Sequence, residues 1–65
     1  MIWLDEGDGR WTAMVPGRVY TVTGSSGRWY YTWETVPPSD KALSAGHLED
    51  SRELAQAAAE AHWLR

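Results

Sequence analysis

Turn-forming residues divide the first half of the chain into short segments. Asp8-Gly9 is a tight-turn sequence, and Pro16-Gly17 supplies the fixed φ and the positive φ that a type II turn requires. Gly24 to Gly27 reads as a four-residue flexible loop, and Pro37-Pro38 ends the last segment because proline has no N–H to donate to a sheet. This spacing predicts an antiparallel meander of three or four strands.

The segments between the turns have the composition of β-strands. Val, Thr, Tyr and Trp dominate them, and these residue types are enriched in strands. The strands are predicted at about residues 2–5, 10–15, 18–23 and 28–36, with room for a further short strand around residues 42–44.

The end of the chain has high helix propensity because alanine dominates it. Asp50 to Glu53 fits a capping box with Asp50 as N-cap and Glu53 at N3, so a helix is predicted over about residues 51–63. Its alanines allow close approach to a sheet. The helical period groups Leu54, Ala58 and Ala61 on one face, with Ala55, Ala59 and Trp63 beside it.

These elements predict one α+β domain spanning residues 1–65, in which the meander packs against the single C-terminal helix. The chain has no cysteine, so packing of its five Trp and three Tyr must stabilise it. Strand alternation predicts one core face and one solvent face. The predicted core face carries Trp11, Ala13, Val15, Tyr20, Val22, Trp29, Tyr31 and Trp33, and Thr12, Met14, Thr21, Thr23, Tyr30, Thr32 and Glu34 point the other way.

The charge distribution constrains the partners. A net charge of −3 disfavours generic binding to duplex DNA, although the segment from Arg10 to Trp33 contains three arginines and no acid. No signal peptide or membrane span is recognisable in the sequence. We therefore expect a cytoplasmic protein that does not bind membranes.

Catalytic and metal-binding patterns are weak. Glu60 and His62 stand at i, i+2 on the helix, which points the two side chains apart, and a domain of this size has little volume for a pocket. The candidate metal ligands His47, Glu49, Asp50 and His62 match no recognised spacing, and the glycine pairs match no phosphate-binding motif. We expect no enzyme activity, no metal and no cofactor.

Two resemblances add to this interpretation. The sequence from Asp50 to His62 resembles the terminal helix of many small phage-borne and actinobacterial accessory proteins, in which Trp-rich strands separated by glycine precede an Ala/Glu-rich helix. The strand-strand-strand-helix order is similar to the arm-type DNA-binding domain of phage integrases. The first likeness implies an accessory protein, and the second implies contact with DNA through the sheet, where that family presents many Lys and Arg and this chain has three arginines.

Two hypotheses from different classes follow. The leading one is a non-enzymatic protein-interaction module that binds a cellular protein through the solvent face of its sheet, since Tyr and Arg are enriched at binding hot spots. The alternative is a nucleic-acid-binding module in which bases stack on aromatic rings and arginines hold phosphates. The candidate binding residues for both are Tyr30, Arg28, Tyr20, Arg18 and Arg10.

The end of the helix raises a further expectation. Trp63 and Leu64 either fold back over the sheet or form a small apolar patch for self-association. A homodimer fits a domain of this size, because so small a core typically supplies only about 3–5 kcal/mol.

Overall fold

A computed structural model describes residues 1–37, 44–45 and 48–65 of the chain. These residues form an antiparallel sheet in the order β1-β2-β3-β4-β5, followed by a helix, which confirms the predicted α+β class. The elements are β1 (Leu4–Gly7), β2 (Arg10–Val15), β3 (Arg18–Ser25), β4 (Arg28–Thr35), β5 (Ser44–Ala45) and α1 (Arg52–Trp63).

Two hairpins close through two-residue turns in which both residues have positive φ. Asp8 and Gly9 have φ of 55° and 74°, and Ser26 and Gly27 have φ of 47° and 79°. Turns of this kind match the right-handed twist of the strands that they join. The predicted four-residue loop at Gly24 is therefore wrong, because β3 continues through Ser25 and the turn uses only the last two residues of that segment.

The edge strands lie slightly later than predicted. Residues 4–7, rather than 2–5, form β1, because the two-residue turn pairs Gly7 with Arg10 and the ladder runs back from there, with an irregularity between Asp5 and Gly7. The short strand expected around residues 42–44 is β5 at Ser44–Ala45, and residues 42 and 43 lie outside the described ranges.

The helix begins one residue later than the predicted cap implies. Ser51 is the N-cap, in extended conformation, and its Oγ accepts a hydrogen bond from the backbone N–H of Leu54 at 3.1 Å. The predicted capping box on Asp50 is wrong, because Ser51 accepts the hydrogen bond that such a cap accepts from the N3 residue. Glu53 consequently lies in the first turn and forms an ion pair with Arg52 at 3.0 Å.

The core lies between α1 and the sheet. Among the described residues, the most buried are Ala13, Tyr20, Val22, Ala55 and Ala59, each at most 1% exposed. This arrangement confirms the predicted core face of the sheet, and the other core-face residues of the strands are half-buried. The two small alanines let the helix approach β3 closely enough to seal Tyr20 and Val22 from water.

The buried side of the helix differs from the first predicted stripe. Leu54 is 50% exposed and Ala61 is exposed, whereas Ala55, Ala59 and the half-buried His62 face the sheet. Their i, i+4, i+7 spacing is as regular as that of the predicted stripe, so periodicity alone does not distinguish them. In the part of the chain that the structure describes, no helix has both the length and the apolar character needed to cross a bilayer.

Candidate interaction surface

The side of the sheet away from α1 is referred to as the open face. It follows from strand alternation and register, because α1 packs on the opposite side of β3 and β4. Threonines occupy its middle, and larger side chains lie around them. Its members are Leu4, Glu6, Arg10, Thr12, Met14, Val19, Thr21, Thr23, Arg28, Tyr30, Thr32 and Glu34.

Three of the predicted binding residues meet at one end of this face. Arg10 pairs with Thr23, and Thr23 pairs with Tyr30, so these side chains form one row across three strands. Arg28 precedes Tyr30 by two residues and therefore points to the same side. Both arginines are exposed, and Tyr30 is 37% exposed. An accessible phenol thus shares this end of the face with two exposed arginines.

The other two predicted binding residues lie on the opposite side of the sheet. Tyr20 is 0% exposed, and Arg18 shares its face because the two residues are two apart on β3. The expectation that they belong to the solvent face is therefore wrong. Their parity with Val22, a core residue, was the sequence signal that placed them under the helix.

Arg18 and Tyr20 belong to a hydrogen-bonded cluster with His62 of α1. The Arg18 Nη1 lies 3.0 Å from the Tyr20 hydroxyl, and that hydroxyl lies 2.6 Å from Nδ1 of His62. A guanidinium only donates, so the hydroxyl accepts from Arg18. The same guanidinium lies 3.5 Å from Nδ1 of His62, and its positive charge favours the neutral tautomer with the proton on Nε2, in which Nδ1 accepts from the hydroxyl.

Aromatic rings and charge surround this histidine. Tyr20, Tyr31 and Trp33 lie with ring centroids 5.2 to 5.9 Å from that of His62. Burial lowers the pKa of His62 below its ordinary value of 6.5, and the positive charges of Arg18 and Arg65 lower this pKa further. These contacts hold the last turn of α1 against the sheet.

The same arginine connects the end of the helix to the sheet. The Cζ of Arg18 lies 4.9 Å from the ring centroid of Trp33 and 5.7 Å from that of Trp63. Trp63 therefore folds back onto the sheet side, which was one of its two predicted positions. Leu64, in contrast, is 81% exposed.

Acids on the open face balance its two arginines. The Glu6 carboxylate accepts a hydrogen bond from the Thr12 hydroxyl at 3.0 Å, and Glu34 pairs across the sheet with Val19. A shallow polar groove lies beside Glu6, lined also by Gly7, Asp8, Arg10 and Thr23. The face is thus of mixed charge rather than basic.

Apolar side chains on the open face are also accessible. Met14 is 74% exposed and Leu4 is 60% exposed. Together with the exposed part of Tyr30, they supply apolar contact area around the polar threonine rows. Methionine, tyrosine and arginine are residue types that are enriched at protein interfaces.

The described residues contain no group of three or more His, Asp or Glu side chains arranged to hold a metal ion. His47, one of the four candidate ligands, lies outside the described ranges. Glu60 accepts a hydrogen bond from the indole Nε1 of Trp3 at 3.0 Å, and His62 bonds to Tyr20 instead. The two side chains therefore diverge as their i, i+2 spacing predicts.

Comparisons with known proteins do not extend this description. No protein-family model matches the chain, and neither a curated protein nor a solved structure matches it. The resemblances to phage and actinobacterial accessory proteins and to the integrase arm domain therefore stay predictions.

Proposed function

We propose that the chain is a non-enzymatic protein-interaction module and that the open face is its binding surface. One observation carries the proposal: Tyr30 stands partly exposed on this face with Arg28 beside it and Arg10 in the same row. Within the described residues, neither guanidinium forms a hydrogen bond or an ion pair. Tyrosine and arginine are the side chains that most often dominate the energy of protein interfaces.

The charge of the face favours a protein over a nucleic acid. Arg18 and Tyr20 are engaged under the helix, so two of the five residues assigned to stacking and phosphate contact cannot reach a ligand on the open face. Glu6 and Glu34 offset the two arginines that remain. Phosphate binding needs an excess of positive charge, whereas a protein surface can match both signs.

The proposal is tested by photo-crosslinking from defined positions. A benzophenone amino acid is placed at Tyr30 or at Met14 on the open face, or at the exposed helix residues Ala57 or Ala61 as controls. We expect discrete protein adducts from the two open-face positions after irradiation in cells that carry the gene. Adding Arg28→Ala to the Tyr30 probe should weaken them.

An oligonucleotide titration provides the second arm of this test. Short single-stranded and duplex oligonucleotides are added at low salt, where electrostatic binding is strongest, and Trp emission and mobility are followed. We expect no saturable response. Saturable binding that salt weakens steeply would replace the proposal with the nucleic-acid hypothesis, and equal adducts from both faces would refute the assigned surface.

A further inference from the structure

The open face of one molecule is complementary in charge to that of another. We infer that the partner is a second copy of this chain, seated face to face, and this inference rests on the proposed function. Arg28 and Glu34 lie near opposite ends of the open side of β4, about 20 Å apart along the strand. Neither side chain forms a hydrogen bond or ion pair in residues 1–37, 44–45 and 48–65.

A single two-fold axis brings these charges together. The axis lies between the two sheets, runs perpendicular to the strands and passes level with Tyr31, the midpoint between Arg28 and Glu34 on β4. It places β4 of one copy over β4 of the second copy in the opposite direction. Arg28 then faces Glu34 of the second copy, and the symmetry of the interface produces this pair twice.

The same axis also accommodates the second arginine of the open face. Tyr31 is level with Val22 on β3 and with Trp11 on β2, so Trp11 is the midpoint of β2. Arg10 therefore faces Thr12 of the second copy. The Thr12 hydroxyl holds the Glu6 carboxylate at 3.0 Å, which brings that acid opposite Arg10. One operation thus matches each open-face arginine with an acid.

The area of the face suits a weak dimer. The four strands have 4, 6, 8 and 8 residues, so at a rise of about 3.4 Å per residue and a spacing of about 4.8 Å each copy covers about 420 Å². The total of about 840 Å² lies in the range of small, transient interfaces. The threonine rows, which carry no formal charge, allow two such faces to approach without repulsion in the middle.

The distance between the charges makes the inference testable by charge reversal. Arg28 and Glu34 of one chain are separated by more than the screening length of about 8–10 Å, so they interact little within that chain. Arg28→Glu or Glu34→Arg places like charges opposite each other twice in the dimer. We expect each single variant to raise the dimer dissociation constant about 100-fold.

Sedimentation velocity of the purified protein over two decades of concentration measures the dimer dissociation constant. We expect a reversible dimer that high salt weakens and whose dissociation constant rises about 100-fold in each single reversal. An equimolar mixture of the two single variants should restore dimers, because one partner then presents two acids and the other two arginines. The double variant Arg28→Glu/Glu34→Arg should also dimerise with itself.

Matched controls place the same charge changes elsewhere. Arg65→Glu and Glu53→Arg alter exposed residues on or just after α1, on the other side of the sheet, and should leave the dimer intact. Circular dichroism establishes that each variant is folded, and rescue in the mixture excludes misfolding as the cause of dissociation. A dimer that survives Arg28→Glu and dissociates in Leu64→Ser would place the contact at the helix end and overturn the inference.

The remaining outcomes separate this inference from the function on which it rests. A wild-type chain that stays monomeric throughout, or single variants whose mixture does not dimerise, would refute the face-to-face dimer. Adducts from position 30 to other proteins would then leave the protein-interaction function standing. A monomeric chain with no adducts from the open face would refute both.

Discussion

The Tyr20 hydroxyl on β3 lies 2.6 Å from Nδ1 of His62, which stands in the last turn of α1. This hydrogen bond crosses the interface between helix and sheet, and the hydroxyl donates to Nδ1 only when the imidazole is neutral, because a protonated Nδ1 cannot accept. The Arg18 guanidinium, 3.5 Å from the same nitrogen, adds a positive charge beside it. The docking of the helix is thereby coupled to the protonation of one histidine.

Stability should consequently depend on pH near neutrality. The pKa of His62 is lowered in the folded chain, so between that value and the unfolded value of about 6.5 the unfolded chain binds more protons. The contribution is fully present above about pH 6.5 and is lost as the pH falls towards the folded pKa. Urea unfolding between pH 5 and pH 8, at about half-unit steps, measures the slope of the free energy of unfolding against pH.

The two histidines of the chain supply the variant and its control. His62→Gln should remove most of the slope, because glutamine offers the Tyr20 hydroxyl an acceptor and does not titrate. His47→Gln should retain it. A slope that persists in His62→Gln would assign the pH dependence to other groups.

Removal of the Tyr20 hydroxyl should destabilise the fold. Tyr20→Phe leaves an Arg18 donor and the His62 acceptor without their partner at a part-buried site, for which we expect a loss of about 1–3 kcal/mol in the free energy of unfolding. Tyr30→Phe makes the same chemical change on the open face and should alter stability by less than about 0.5 kcal/mol. Equal losses of unfolding free energy in the two variants would contradict a stabilising role of the hydrogen-bonded cluster of Arg18, Tyr20 and His62.

A methyl group at Gly24 should disturb the packing of Trp29. A Cβ built there would collide with the Arg28 carbonyl oxygen and would lie 2.7 Å from the Trp29 Cα. Gly24→Ala should therefore cost about 1–3 kcal/mol and lower the melting temperature measurably. Thr23→Ala, on the neighbouring open-face position, is the control and should cost less. A melting temperature unchanged in Gly24→Ala would show that β4 yields easily at this point.

The cap of the helix should depend on Ser51 rather than on Asp50. Ser51→Ala removes the acceptor for the Leu54 N–H and should cost about 1 kcal/mol. Asp50→Ala removes a charge near the helix start without removing that hydrogen bond, so a smaller loss is expected. Thermal unfolding followed by circular dichroism compares the stability of the two variants. A larger loss in Asp50→Ala than in Ser51→Ala would show that Asp50 is the cap.

Local rules predicted most of the architecture from the sequence. The positive-φ residues at Asp8-Gly9 fixed a hairpin within two residues, and the alternation around Trp29, Tyr31 and Trp33 identified the core face. Both depend on interactions between residues close in sequence, where steric limits on φ and the period of two leave few alternatives. The same alternation puts Tyr30 on the open face.

Other features depend on how the helix and the strands pack against each other. Two helix stripes of equal spacing, each with two alanines, compete in α1, and the stripe that faces the sheet is the one whose His62 contacts Tyr20. The sequence alone does not show that His62 meets Tyr20, 42 residues away, or that Arg18 is drawn under the helix between two tryptophans. Periodicity establishes which residues share a face, whereas the partner of that face depends on packing between elements that are distant along the chain.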